Sequence, residues 1–206
     1  NLAAFGEYIF GRGQQTQSLV FLTIGTGVGS GLILAGELWQ GRGGFAGELG
    51  HITVNHEGLR CNCGNTGCLE TEVSAPALVR NYLNFSGKKE ERLTAKDVYL
   101  RARAGDEAAR KSFDRSGYFL GIGLSIVINL LNPENIIIGG GVMDAGRWLL
   151  SPAIKEAKKR SIGESFSLCR IEKASLGNDA GLMGAAAWAR QQLARQKSIT
   201  STRHKK

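Results

Sequence analysis

Three of the chain's four cysteines and two of its three histidines fall within one stretch, GHITVNHEGLRCNCGNTGCLE, residues 50–70. Zinc in closed sites takes four ligands, most often thiolates and imidazoles. His51, Cys61, Cys63 and Cys68 make one such set, and the Cys-x-Cys spacing with Gly64 and Gly67 lets a loop of eight residues wrap a single ion. The alternative, a surface cluster of reduced thiols, is costly because exposed vicinal thiols oxidise readily. The same spacing suits metal better than disulfides and so points to a reducing compartment. His56, in a polar loop, reads as solvent-exposed, and Cys169, between apolar neighbours, reads as a buried inert thiol.

Two glycine turns are the other candidates. In TIGTGVGSG, Gly25, Thr26 and Gly27 follow an apolar run, and such a turn can aim several backbone N–H groups and a hydroxyl at one point, as phosphate oxygens require. It reads equally as a tight hairpin. It is neither a P-loop, since no Gly-Lys-Ser/Thr follows, nor a Rossmann turn, since the next element alternates like a strand. In IIIGGGVMDAG, Gly139, Gly140 and Gly141 lead from an apolar strand toward a helix, whose N-terminus would add positive charge to open donors. The bland reading is again a structural turn. Two such sites in one chain fit a nucleotide held at both ends.

These residues must be positioned by an α/β framework. Residues 2–11 read as a helix, QSLVFLTI as a buried strand and LILAGELWQG as a second strand. From 75 to 132 the pattern is helical in three segments, with Thr94 as N-cap of the second and Pro133 stopping a third that is apolar nearly all round, hence central. NIIIGGGVMDAGRWLLSPAIKEAKKR and FSLCRIEKAS with LGNDAGLMGAAAWARQQLARQ each read as strand, turn and helix, with Asp179 capping the last helix. Trp39, Trp148 and Trp188 lie on separate elements and read as packing residues.

At 206 residues and 42% apolar content the chain is long enough for one domain or one and a half with a sizeable core. No apolar run approaches the roughly 20 residues of a membrane span, and a cytoplasmic protein is expected. Of the formal charge of +8, the segment from Arg190 to Lys206 contributes six basic residues and no acidic one, so the body is nearly neutral and the excess reads as a solvated tail rather than a nucleic-acid surface. The chain opens at Asn1 inside a helical pattern, which suggests a natural start upstream.

The run GELGH followed by CNCGNTGCLET strongly resembles the ROK family of repressors, open reading frames and kinases, and LTIGTGVGSGLILAGELWQG, LTAKDVY, LLNPENIIIGGGV and SLGNDAGLMGAAAWA extend the match to about residue 190. The nearest resemblance is to the family's bacterial glucokinases. It implies an actin-like (ribonuclease H-like) two-lobed sugar kinase fold, of which residues 1–178 would be the large lobe with its zinc loop at 50–70. The helix at 179–195 would return to the small lobe, and 196–206 would be a basic flexible tail. It implies that Glu48, His51 and Glu70 contact sugar hydroxyls, with a structural zinc also on His51, and that ATP with magnesium lies between the lobes. Without the resemblance, Glu48 reads as a solvated loop carboxylate and Glu70 as a helix N-terminal charge.

By the same pattern Asn1 ends an Asn-Asp-Ala-Asn run, so the aspartate general base, the first phosphate loop and the N-terminal lobe are expected before Asn1, and no aspartate here takes the base's place. The implied activity is ATP-dependent phosphorylation of glucose to glucose 6-phosphate by a homo-oligomer, a dimer. The alternative is the sugar-sensing domain of a ROK transcriptional repressor, the one case in which nucleic acid would be a partner.

Overall fold

The computed structural model describes the backbone of residues 1–203 and the side-chain surroundings of residues 1–196. Five strands form one mixed sheet: β1 (Leu19–Ile24), β2 (Val28–Leu34), β3 (Glu37–Trp39), β4 (Asn135–Gly139) and β5 (Arg170–Lys173), in the order β3-β2-β1-β4-β5. β1 pairs antiparallel with β2 and parallel with β4, and β4 pairs parallel with β5. Central strands covered on both faces read as continuous apolar runs rather than alternating ones, which is why LVFLTI and NIII stand out. Val20, Leu22, Ile24, Ile136 and Ile138 face one core and Leu19, Phe21 and Ile137 the other, as the two-residue period of a strand demands.

Helices α1 (Leu2–Phe10) and α8 (Ala180–Arg203) cover the second face. The first face lies under α2 (Leu69–Val73), α3 (Ala75–Ser86), α4 (Ala95–Arg103), α5 (Glu107–Leu131), α6 (Arg147–Arg160) and α7 (Gly163–Leu168). α5 buries Leu120, Leu124 and Ile128 completely, as its composition suggested, while Ile126 and Leu130 on its far side are exposed. Thr94 caps α4 through a reciprocal bond with Asp97, and Asp179 stands immediately before α8.

The elements differ from the sequence reading at four places. LILAGELWQG is not one strand, because Ala35 and Gly36 take φ of +51° and +75° and turn β2 into β3. The triple glycine does not open an α-helix: a short 3₁₀ turn covers Gly141–Ala145 and α6 begins at Arg147, after Gly146 with φ +53° and ψ −118°. FSL belongs to α7 rather than to a strand, because the Cys169 N–H closes a turn onto Phe166 O and β5 starts only at Arg170. The backbone of α8 continues helical to Arg203, past the expected start of a tail at 196; positions 204–206 lie outside the described residues.

α1 and α8 cross at van der Waals contact because glycines leave room. A Cβ on Gly184 would sit 1.7 Å from Leu2 O, and one on Gly6 would sit 2.2 Å from Ala180 O. Trp188 stacks edge-on against Phe5 at 5.2 Å between ring centroids. The fully buried carboxylate of Glu7 accepts from the backbone N–H groups of Arg12, Ser175 and Leu176 and from the Ser175 hydroxyl at 2.7–3.0 Å, the compensation that a buried charge needs. On the outer side of α8, Leu182 and Leu193 are 74% and 59% exposed.

Gly184→Leu should cost about 1–3 kcal/mol or more by overpacking this crossing, read as a lower urea midpoint. Gly181→Ala, where an added Cβ meets nothing within 4 Å, should leave the midpoint unchanged or raise it.

Candidate functional site

The loop between β3 and α2 folds around its own glycines. Gly67, at φ +69°, approaches Asn55 so closely that a Cβ would lie 1.6 Å from the Asn55 carbonyl oxygen, and its own carbonyl accepts from both Val54 N and Asn55 N. Cys61 N donates to Asn65 O and Gly64 N to Cys61 O, closing the turn that carries Cys63.

The result brings His51, Cys61, Cys63 and Cys68 together, their ligand atoms all within 4.8 Å of one another. Cys61 Sγ lies 3.7 Å from His51 Nδ1, and Cys63 Sγ lies 3.6 Å from Cys68 Sγ. Edges of a tetrahedron built on metal–sulfur bonds of about 2.3 Å are about 3.8 Å long, so the cluster has the size and donor set of a zinc site. Burial and the neighbouring thiols push the Cys68 thiol up to about 12, whereas the Asn65 backbone N–H holds the exposed Cys63 thiol below its usual range. Ionising three crowded thiols together needs a compensating cation, and a divalent metal supplies it. Exposed His56 and buried Cys169 stay outside the cluster, and burial pushes the Cys169 thiol up to about 11.

With Nδ1 turned to the thiols, His51 Nε2 faces outward, 3.9 Å from Glu48 Oε2. Glu70 follows the loop, in the first turn of α2. Its Oε2 accepts from Val28 N at 2.9 Å and its Oε1 lies 3.9 Å from Cys61 Sγ. Glu70 is thus not a free helix-terminal charge; it joins the cysteine loop to the first glycine turn. Ser30, which the sequence did not flag, extends that junction: its hydroxyl binds Gly47 O and accepts from Leu49 N.

The first glycine turn is narrower than its sequence suggested. Gly25 and Gly27 do not take the left-handed conformation, and Val28 to Gly31 already belong to β2. Their use is spatial: a Cβ on Gly27 would come 2.5 Å from Glu70 Oε2, while one on Gly25 would meet open space. Gly25 N donates to Gly27 O, Gly25 O accepts from Ala75 N, and Val28 N is held by Glu70. The Thr26 and Gly27 amides and the exposed Thr26 hydroxyl remain as donors with no acceptor among the described residues.

In the second turn only Gly140 is left-handed, at φ +90°, and a Cβ there would lie 2.6 Å from Ile24 N. The two turns therefore sit side by side, at the C-terminal ends of parallel β1 and β4, where open α/β sheets gather their ligands. The helix-dipole contribution expected at 139–141 is absent, since α6 starts further on. A cleft of about 570 Å³ lies beside Thr26, walled by Pro76, Val79, Arg80, Leu83 and Leu93, and a second of about 300 Å³ lies beside Gly141 and Tyr99; both share Ala95. Arg80 was also missed. A signal for it exists, because Pro76, Val79, Arg80 and Leu83 form an i, i+3, i+4, i+7 stripe on α3. Trp39 is exposed, Trp148 lies between the guanidinium groups of Arg110 and Arg147, and Trp188 packs on Phe5.

Protein prepared without chelator should carry one zinc per chain by elemental analysis. Cys63→Ser should release the metal and loosen the loop, giving a lower thermal midpoint and faster proteolysis between 50 and 70; a metal-free wild-type chain would refute the site.

Comparison with known proteins identifies the family. The ROK family profile matches residues 1–192. The chain is 40% identical to a glucokinase of Halalkalibacterium halodurans over 93% of its own length and 62% of that protein, and 31% identical to the xylose repressor of Bacillus subtilis over 89% of its length and 47% of the repressor. It superposes on the crystal structure of a ROK family glucokinase from Streptomyces griseus in complex with glucose and AMPPNP with a TM-score of 0.85 and 38% identity, covering 93% of this chain and 66% of that one. The chain thus spans less than two thirds of the first of these curated relatives. Its mixed sheet with helices on both faces is the α/β architecture of the actin-like sugar kinases, and the chain belongs to the ROK family.

Proposed function

We propose that this chain is the sugar- and nucleotide-binding part of an ATP-dependent hexose kinase, glucokinase-like in converting glucose to glucose 6-phosphate. The observation that carries the proposal is the junction at Glu70, which sets a turn with open amides, Thr26 and Gly27, directly against the loop bearing Glu48 and His51. Relatives named as glucokinases at 36–40% identity support the kinase reading.

In this reading Glu48 and Glu70 accept hydrogen bonds from sugar hydroxyls, and His51, held by zinc through Nδ1, offers Nε2–H as a donor. Zinc shapes the sugar face and takes no part in transfer. ATP with magnesium, when bound, would supply the phosphoryl group. The chain's part is positioning: the Thr26 and Gly27 amides and the Thr26 hydroxyl hold phosphate oxygens, and the apolar wall of Val79, Leu83 and Leu93 receives the base. The aspartate that takes the 6-hydroxyl proton would precede Asn1. Residues 1–178 would be the large lobe, and the exposed Leu182 and Leu193 of α8 would meet the small one.

The second reading, a sugar sensor of a repressor, is favoured by the likeness to the xylose repressor. A coupled ADP assay on a protein of the relatives' full length separates the two. The kinase turns over glucose, whereas an inactive protein with a sugar-dependent shift of DNA mobility is the sensor. In the kinase, Glu48→Gln should raise KM for glucose about 10- to 100-fold, the worth of a hydrogen bond to a charged group. Thr26→Val should lower kcat/KM for ATP while glucose affinity stays within about twofold.

A further inference from the structure

Glu70 and Glu72 are two residues apart on α2 and so point away from each other. Glu70 serves the glycine turn, but Glu72 serves nothing yet described. Its side chain is 3% exposed, its Oε1 accepts from Asn55 Nδ2 at 2.8 Å, and its Oε2 has no hydrogen-bond donor among the described residues, with Arg115 Nη2 3.7 Å away. It lies in the wall of a separate cleft of about 340 Å³, within the range of small-molecule sites.

The lining restricts the occupant. Arg80 and Arg115 line the cleft together with Glu57 and Glu72, so an anion would meet two carboxylates and a cation two guanidinium groups. Asn84, exposed at the rim, offers an amide donor and a carbonyl acceptor, whereas the buried Asn81 already gives Nδ2 to Ser116 Oγ. Phe85 and Leu59, 45% and 51% exposed, add an apolar wall to this polar set. A neutral molecule that both donates and accepts hydrogen bonds and carries a C–H face fits these conditions, and polyhydroxylated rings are of that class. We propose that the cleft behind the zinc loop is a second sugar-binding site, distinct from the Glu48–His51–Glu70 face. The proposal does not depend on the kinase reading.

D-glucose is the probe, followed by chemical shifts of the Leu59 methyl and Asn84 side-chain amide groups and by calorimetric stoichiometry. Two glucose molecules per chain are expected. Phe85→Ala, at a half-exposed position that the fold tolerates, should weaken one event about tenfold and leave zinc content and the other event unchanged. Glu48→Gln should weaken the other event and preserve the Leu59 and Asn84 shifts. A single event that follows Glu48→Gln and ignores both Phe85→Ala and Leu59→Ala would overturn the second site while leaving the first intact. Saturable shifts at Leu59 and Asn84 with inorganic phosphate but not with glucose would overturn the assignment to a neutral ligand.

Discussion

The hydrogen bond from Val28 N to Glu70 is the constraint on which the rest of the site depends. It fixes the first residue of α2's acidic turn against the start of β2, and it is made possible by the missing side chain at Gly27. A second close approach acts with it: a Cβ on Gly50 would lie 2.1 Å from Val28 O, so the 3₁₀ turn that carries His51 rests on the same backbone unit. One residue of β2, Val28, therefore meets this region through two successive peptide groups, its N–H at Glu70 and its carbonyl at Gly50. Any loss of loop order that moved Cys61 or His51 would be transmitted to the Thr26 turn without passing through the core.

How far this was legible in the sequence follows from the range of the forces involved. The grouping of His51, Cys61, Cys63 and Cys68 was readable because four side chains from a short loop constitute a local problem, legible from types and spacing alone. The central strands were readable because burial on both faces leaves a continuous apolar run. For the first turn the sequence offered a cradle of phosphate donors or a tight hairpin; Gly27 in addition admits a carboxylate from 43 positions downstream, and no local pattern encodes that. The same holds for Gly6 and Gly184, whose purpose is a contact between the two ends of the chain, and for Glu7, which looks like an ordinary helix-surface charge until its four donors arrive from loops on either side.

The two faces of the sheet are built for different tasks. The α1–α8 face is closed by close backbone approach and a satisfied buried carboxylate, which leaves little room to adjust. The opposite face carries the clefts, and its walls are the N-terminal turns of α3 and α4 together with half-buried Arg80. Burial lowers the pKa of that guanidinium while Glu72 opposes the shift, so Arg80 links the Thr26 cleft to the one at Glu72.

Eight residues, from Cys68 to Ala75, touch every part of the arrangement. Cys68 belongs to the metal cluster, Glu70 bonds to the glycine turn, Glu72 closes the rear cleft through Asn55, and Ala75 N donates to Gly25 O at 2.7 Å. Alternation of direction along one helical turn explains how so short a segment reaches both sides, since residues two apart on a helix do not share a face. Leu69 and Val73, fully buried between them, anchor the segment in the core. With the turn held still by that anchor, each side of α2 keeps its own geometry, and what the Thr26 cleft and the rear cleft share is their common wall of Arg80 and Asn84.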